Sequence, residues 1–170
     1  MQRQNIKQID NNLIQALAQQ ARDSERRRSN FNLHTDYNSP VQRLFICMQP
    51  DSYVCPHKHV ENNKWEFFMV VKGRLLFVLY NDSGCIVDKI MLGPDEEVVS
   101  LEIPPNTWHS TVALHEDTVF FEVKEGPYQQ ITDKGFAHWA PKEGEAECQD
   151  YIQWLIKAEI GAKYPCPAAN

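Results

Sequence analysis

Three histidines and one glutamate have the residue types and spacing of a metal-binding set. His57 and His59 are two residues apart, so on a strand both imidazoles lie on the same face and can reach one ion. Glu66 follows after six intervening residues, and His109 follows a tight turn at residues 104–106. Three imidazoles and one carboxylate suit zinc, iron, manganese, nickel or copper. The four residues are therefore predicted to hold one divalent metal ion.

Two further groups of polar residues are candidates for contact with a small molecule. Glu122 and Lys124 alternate on the last long predicted strand, with a parity that can turn both inward as an acid and a base. Alternatively, they form a structural ion pair with Arg43 or Arg74. An Arg- and Asn-rich segment before the first long strand can reach over a barrel mouth. The candidate ligand-binding residues are Arg28, Asn30, Asn32 and His34 of this segment, together with Arg43.

Two neighbouring residues are weaker candidates for the metal. Cys55 shares the strand parity of His57 and His59, but a free cysteine is more often a small buried hydrophobe, so it is not predicted as a ligand. Glu61 is the alternative carboxylate to Glu66. The five cysteines of the chain lack Cys-x-x-Cys spacing, which favours reduced thiols over a disulfide framework.

The composition is typical of one folded domain. The 170 residues are 42% hydrophobic and 11% aromatic, enough for a single sizeable core. Seventeen basic and twenty-three acidic side chains give a net charge of -6, which lacks the basic footprint of a nucleic-acid-binding protein. Residues 1–12 lack the apolar core of a signal peptide, and no apolar run approaches the ~20 residues that span a bilayer. We therefore expect a cytoplasmic protein with neither nucleic acid nor membrane as partner.

Hydrophobic periodicity predicts a helix at each end of an all-β core. Helical spacing runs from Ile9 to Ala21, with Asp10 or Asn11 as N-cap, and returns from Glu145 to Lys157. In between, β-branched and aromatic runs alternate with turn signals, which indicates a sandwich or barrel. The predicted strands are 41–48, 53–59, 65–72, 74–80, 85–92, 97–103, 108–114 and 118–124, preceded by an ordered loop or edge at 24–34. One structural domain is expected, comprising 1–40 (helix and Arg/Asn-rich segment), 41–128 (barrel) and 129–170 (loop and helix).

The metal-binding candidates stand in segments that resemble the two cupin motifs. His57-x-His59, Glu66 and Gly73, with six residues in each interval, resemble the first motif. Residues 104–109 resemble the second, Pro-x-Gly-x-x-His, with Asn106 in place of glycine, and Asn adopts left-handed conformations more readily than other non-glycine residues. Further segments resemble the WbuC-type cupin-fold metalloproteins: Asn30-x-Asn32-x-His34, Pro40-Val41-Gln42-Arg43, Ser52-Tyr53-Val54, Glu102-Ile103-Pro104-Pro105 and Glu122-Val123-Lys124-x-Gly126-Pro127-Tyr128.

This resemblance implies a double-stranded β-helix, the jelly-roll barrel of the cupins, with a metal ion (Fe, Mn, Ni or Zn) in its mouth. The WbuC-type proteins occur among bacterial genes for O-antigen and other surface polysaccharides, which implies a sugar or nucleotide-sugar ligand. We therefore expect metal-assisted isomerisation or epimerisation of a small polar molecule. An iron-dependent dioxygenase and a non-catalytic sugar-binding or regulatory module are the alternatives. A homodimer is expected, because cupins often pair through strand edges and the N-terminal apolar stripe needs a surface to cover.

Overall fold

The computed structural model describes residues 6–131 and 135–165. Within these residues, two helices flank eight strands. In chain order the elements are α1 (Asn11–Asp23), β1 (Arg28–Asn32), β2 (Val41–Met48), β3 (Glu66–Lys72), β4 (Leu75–Tyr80), β5 (Ile86–Leu92), β6 (Ser100–Ile103), β7 (Trp108–Ala113), β8 (Thr118–Glu125) and α2 (Cys148–Lys157).

Two antiparallel sheets face each other between the two helices. Sheet 1 has the strand order β1-β2-β8-β3-β6, and sheet 2 has the order β5-β4-β7. Strands far apart in the chain lie side by side, as β2 does with β8 and β4 with β7, which is the topology of a jelly roll. The all-β jelly-roll barrel with a helix at each end, predicted from the sequence, is thereby confirmed. The core between the sheets consists of Met48, Phe68, Val70, Leu75, Phe77, Leu92, Ile103, Ala113 and Phe120.

Each helix covers the outer face of one sheet. Leu17 and Ala21 of α1 pack against Cys47 and Val119 of sheet 1, and the Asp10 side chain accepts a hydrogen bond from the Leu13 N–H as the N-cap. Helix α2 packs on the outer face of sheet 2. The apolar face of α1 is thus covered by sheet 1 of the same chain. The predicted homodimer is therefore supported only by the expected pairing of strand edges, and it stays a prediction.

The predicted strand 53–59 is instead an extended segment held by two neighbours. Pro56 has no N–H for a ladder hydrogen bond, and His57 forms isolated β-bridges to His109 and Phe136. The C-terminal loop flanks the segment, because the Ala137 N–H donates to the Pro56 carbonyl at 2.9 Å. A second correction concerns α2, which begins at Cys148 because residues 145–147 form turns.

The segment 24–34, predicted as an ordered loop or edge, contains β1, which lies at the edge of sheet 1. Cys47, Cys55, Cys85 and Cys148 are free thiols, and Cys166 lies outside the described residues. Among the described helices, none combines the length and the apolar character that crossing a membrane requires.

Gly73, which closes the first motif, adopts a conformation that favours glycine. Its φ is +80°, and a Cβ there would lie 2.5 Å from Thr118 Oγ1 and 2.9 Å from Thr118 Cα. We expect Gly73→Ala to lower the free energy of unfolding by about 2–4 kcal/mol in urea denaturation, because left-handed strain and a backbone clash add. The matched control is Gly161→Ala, with φ +91° and no atom within 4 Å. Equal losses in the two variants would contradict the steric part.

Candidate metal centre

His57 and His109 are joined through their backbones. The His57 N–H donates to the His109 carbonyl and the His109 N–H donates to the His57 carbonyl, both at 3.0 Å. The ring centroids are 4.4 Å apart. Strand β7 therefore fixes the irregular segment 53–59 and brings two imidazoles from distant parts of the chain together.

The turn before β7 has the conformation expected for the second motif. Asn106 has a φ of +60°, the left-handed region that glycine would occupy. Its N–H donates to the His59 carbonyl at 3.0 Å, so the turn also contacts the first motif. Lys58, between the two histidines, turns to the opposite side, where its Nζ lies 4.7 Å from the centre of the Trp108 ring. The parity argument for the His57-x-His59 pair therefore agrees with the structure.

Hydrogen bonds to main-chain carbonyls fix the tautomers of two rings. His57 Nδ1 lies 3.0 Å from the Cys55 carbonyl, and His109 Nδ1 lies 2.9 Å from the Thr107 carbonyl. Because a carbonyl oxygen only accepts, Nδ1 carries the hydrogen in both rings, and in the neutral form Nε2 carries a lone pair. Metal-binding histidines adopt this arrangement. Burial, followed by repulsion from His109, lowers the pKa of His57 to about 3, which keeps this ring neutral near pH 7.

Glu66 lies between two imidazoles in a buried position. Its Oε1 is 3.2 Å from His59 Nε2, and its Oε2 is 3.3 Å from His109 Nε2. Burial alone would raise the pKa of Glu66, but His109 and the His59 hydrogen bond, with Lys124, lower it below its usual range. A neutral His109 would set its Nε2 lone pair against this anionic oxygen. The arrangement therefore calls for a cation there, either a proton or a metal ion.

The long loop before Glu66 is tied to the end of β8. Lys64 is buried, and its Nζ donates to the Glu125 carbonyl at 2.9 Å. Two residues later β3 begins at Glu66, which is paired in register with Lys124. Glu61 lines, together with His59, a small cavity that His57, Glu66 and His109 do not line. Glu66, rather than Glu61, is therefore the carboxylate that meets the histidines.

Glu122 and Lys124 both turn into the barrel, as their parity predicts. Lys124 Nζ lies 2.6 Å from Glu122 Oε1 and 3.8 Å from Glu66 Oε1. Burial alone would lower the pKa of Lys124, but Glu122 and Glu66 raise it above its usual range, so the ammonium stays charged. The two residues pair with each other rather than with Arg74, which binds Glu96.

The charges of this cluster do not balance. The carboxylates of Glu66 and Glu122 face one ammonium, that of Lys124, so apart from the histidines these side chains carry one net negative charge in a buried place. An uncompensated buried charge is costly. The cluster therefore favours an additional cation.

A cavity of about 140 Å³ lies between the metal candidates and the Glu122–Lys124 ion pair. The metal candidates His57, Glu66 and His109 line it, and His59 reaches it through its contact with Glu66. The other lining residues are polar or apolar side chains from sheet 1, β7 and the segment 53–59: Arg28, Ile46, Met48, Val54, Phe68, Thr111, Phe120, Glu122 and Lys124. Phe68 and Phe120 share strand parity with Glu66 and Glu122, respectively.

The donor types and tautomers fit a divalent metal, but the imidazole nitrogens and carboxylate oxygens do not surround one common position. Among residues 6–131 and 135–165, no group of three or more His, Cys, Asp or Glu side chains has the arrangement that holds an ion. Glu66 contacts the imidazoles of His59 and His109 directly instead. Coordination would require these side chains to turn from each other towards a shared centre. The metal ion and its four ligands stay predictions.

Of the five predicted ligand-binding residues, Arg28 lines the pocket. Its NH1 donates to the Tyr53 carbonyl at 2.8 Å, and its NH2 lies 2.6 Å from Glu143 Oε1. The Asn30 side chain donates to that of Asn32 at 2.7 Å on the exposed edge of β1, outside the pocket lining.

His34 and Arg43 also lie apart from the pocket. The buried His34 contacts the Arg43 backbone through Nδ1 at 3.0 Å. Arg43 alternates with the inward residues of β2 and lies on the side of sheet 1 that α1 covers. The structure therefore does not bring these two residues together with the metal candidates.

Cys55 is a buried thiol beside the site. Its carbonyl fixes the His57 ring, and burial raises the pKa of its thiol to about 11, so it stays protonated. The sequence reasoning missed Glu143, which binds Arg28 from a position far along the chain, and Phe136, whose ring centroid lies 6.3 Å from that of His57. No local pattern signals either contact.

Comparisons with known proteins found one family model and a set of solved structures that match the chain. A family model described as Domain of unknown function (DUF6016) matches residues 9–92, which include the first motif and end before the second. Comparison with curated proteins found no match.

Three solved structures illustrate the similarity. The chain is similar to KdgF from Halomonas sp. with 18% identity, coverage of 60% of this chain and 82% of that chain, and a TM-score of 0.46. It is similar to the Cupin 2 domain of an XRE family transcriptional regulator from Enterobacter cloacae with 14% identity, coverage of 59% and 98%, and a TM-score of 0.46. For a cupin 2 domain-containing protein from Halorhodospira halophila the identity is 16%, the coverage 74% and 76%, and the TM-score 0.47.

Proposed function

We propose that this chain is a metal-dependent enzyme that isomerises or epimerises a small polar molecule of the sugar type. The observation that carries the proposal is a single pocket in which imidazoles and Glu66 lie beside a Glu122–Lys124 ion pair. A Lewis-acid site next to a proton acceptor is the combination that such reactions need.

His57, His59, Glu66 and His109 would hold the ion, which is Fe, Mn, Ni or Zn. The fixed Nδ1–H tautomers of two histidines and the residual negative charge support this assignment. When bound, the ion would supply Lewis acidity to a carbonyl or hydroxyl oxygen of the ligand. Four protein ligands leave one or two positions free in five- or six-coordinate ions, which favours Fe, Mn or Ni over tetrahedral Zn.

The chain's own residues supply the proton transfer in this proposal. Glu122 would accept a proton from the carbon next to the polarised carbonyl and, in isomerisation, return it to the carbonyl carbon. Lys124 holds this carboxylate in place at 2.6 Å and would donate a hydrogen bond to the developing oxyanion. Phe68 and Phe120 wall the same pocket and would limit the access of water.

The proposed substrate is a sugar-sized molecule of surface polysaccharide biosynthesis, as the resemblance to the WbuC-type cupins suggests. A cavity of about 140 Å³ is smaller than the ~300–1,000 Å³ typical of ligand pockets. It therefore suits a single sugar or the sugar part of a nucleotide-sugar. The cytoplasmic location and the homodimer belong to the same proposal.

Elemental analysis of the purified protein, followed by solvent exchange, tests this function. The protein is loaded with Mn²⁺, Fe²⁺, Ni²⁺ or Zn²⁺ in turn and incubated in D₂O with a panel of aldoses and ketoses. We expect about one ion per chain and deuterium incorporation next to the carbonyl, followed by NMR. Glu122→Gln should abolish the exchange even at metal concentrations that restore full loading, because loss of this carboxylate also weakens the attraction of the pocket for the ion.

The alternatives predict different results in the same experiment. Oxygen consumption that depends on iron would favour the dioxygenase. Saturable sugar binding without exchange or oxygen consumption would favour a non-catalytic sugar-binding or regulatory module. Absence of bound metal after loading would contradict all the metal-dependent readings.

A further inference from the structure

We propose that Glu143 is an internal latch on Arg28, and that a ligand carrying a carboxylate opens it by binding Arg28 in its place. The inference rests on the proposed function, because it names the substrate class of the same pocket as small acids of the sugar type. It differs from the metal proposal in depending on an arginine that lies outside the metal-binding set.

Arg28 is a fixed, largely buried cation at the pocket wall. Its side chain is 15% exposed, and NH1 donates to the Tyr53 carbonyl at 2.8 Å. Its NH2 lies 2.6 Å from Glu143 Oε1. A guanidinium held in this way is preorganised for a planar carboxylate, which it binds more strongly than it binds a neutral oxygen.

Glu143 is easier to displace than Arg28. Its side chain is 37% exposed, and it also binds Arg26, whose side chain is 63% exposed, through two contacts of 2.8 Å. The adjacent Gly144 has a φ of +92° and no atom within 4 Å of a would-be Cβ, so the space beside this residue is open. Glu143 could therefore swing outward and keep Arg26, whereas Arg28 would be left buried without an anion. A ligand carboxylate would supply that anion.

The Arg28–Glu143 ion pair also lies between two cavities. Arg28 lines the inner pocket, and Glu143 lines an outer cavity of about 500 Å³ next to Cys55 and Phe136. Because the paired atoms are 2.6 Å apart, the ion pair stands where the cavities approach each other. Opening the latch would give a ligand a route inward, with its carboxylate on Arg28 and its hydroxyl groups towards His57.

The test uses D-glycerate, the smallest sugar acid, as the probe and glycerol as the uncharged control. Calorimetric titrations are made on the full chain, both metal-free and metal-loaded. We expect Glu143→Gln to bind glycerate about tenfold more tightly than the wild type, because Arg28 is then free of its internal anion. Arg28→Gln should bind at least about tenfold more weakly. Glycerol should show no such dependence on either residue.

Two further variants keep the result interpretable. Arg28→Lys retains the positive charge but loses the planar guanidinium group, so it should also bind glycerate more weakly than the wild type. This variant keeps the test valid if Arg28→Gln does not fold. Arg27→Gln is the matched control, because Arg27 pairs with Asp51 and lies outside the pocket lining. Glycerate affinity that is equal in the wild type, Glu143→Gln and Arg28→Lys would overturn the proposal, as would no binding by Glu143→Gln. Because the effect of Arg28 on glycerate affinity is also measured in metal-free protein, the latch proposal can be confirmed even if the protein binds no metal.

Discussion

Replacing Glu66 by Gln is expected to lower the affinity for a divalent metal by at least about 100-fold, since loss of even an outer-shell partner typically lowers it 10–100-fold. The substitution preserves the shape of the side chain but removes the anionic oxygens that lie 3.2 and 3.3 Å from the two imidazole nitrogens. The measurement is competition of the metal-loaded protein with a chelator of known affinity, together with elemental analysis.

Glu61→Gln is the control for this prediction. Glu61 lies in the loop that precedes Glu66 and lines a small cavity with His59, but Glu66 is the carboxylate that contacts His59 and His109, so removal of the Glu61 charge should leave the metal affinity unchanged. Urea denaturation of both variants checks that neither effect reflects unfolding. Full metal content in Glu66→Gln combined with loss in Glu61→Gln would transfer the ligand role to Glu61.

The sequence predicted the inward residues because strand parity and turn chemistry are local. His57 and His59 share a face since they are two residues apart, and Glu122 and Lys124 follow the same rule on β8. Asn106 was expected in a left-handed conformation, and its φ is +60°. These features need only the geometry of a few consecutive residues.

The remaining features depend on contacts between distant parts of the chain. The partner of Arg28 is Glu143, and the segment 53–59 is held by the C-terminal loop through a hydrogen bond from Ala137 to Pro56. Neither contact has a periodic signature. The same holds for Arg43, whose polar character suggested a ligand contact although its place on β2 turns it to the α1 side of sheet 1. The polar character of Arg43 thus did not show which face of β2 turns towards the pocket, because that depends on what packs against each face of sheet 1.

Lys124→Met is expected to destabilise the metal-free protein by about 3–5 kcal/mol, because removing one partner leaves a buried charge without compensation. The Lys124 side chain is 18% exposed and that of Glu122 is 9% exposed, so solvent screens their ion pair weakly. In the variant, Glu122 and Glu66 would both be anionic in the pocket, without the ammonium that lies near each of them. Urea denaturation measures the loss.

The double variant Lys124→Met/Glu122→Gln separates the ion pair from the packing of the lysine stem. It removes both charges, so most of the lost stability should return, and the double-mutant cycle gives the coupling between them. The single variant should also gain more stability from added Mn²⁺ than the wild type does, because its pocket carries one more negative charge. Equal stabilisation by Mn²⁺ in the wild type and Lys124→Met would mean that the ion does not bind beside Glu66 and Glu122. Greater stabilisation of the variant, in contrast, would mean that Lys124 is more than a structural partner, because its charge sets how strongly the pocket attracts a metal cation.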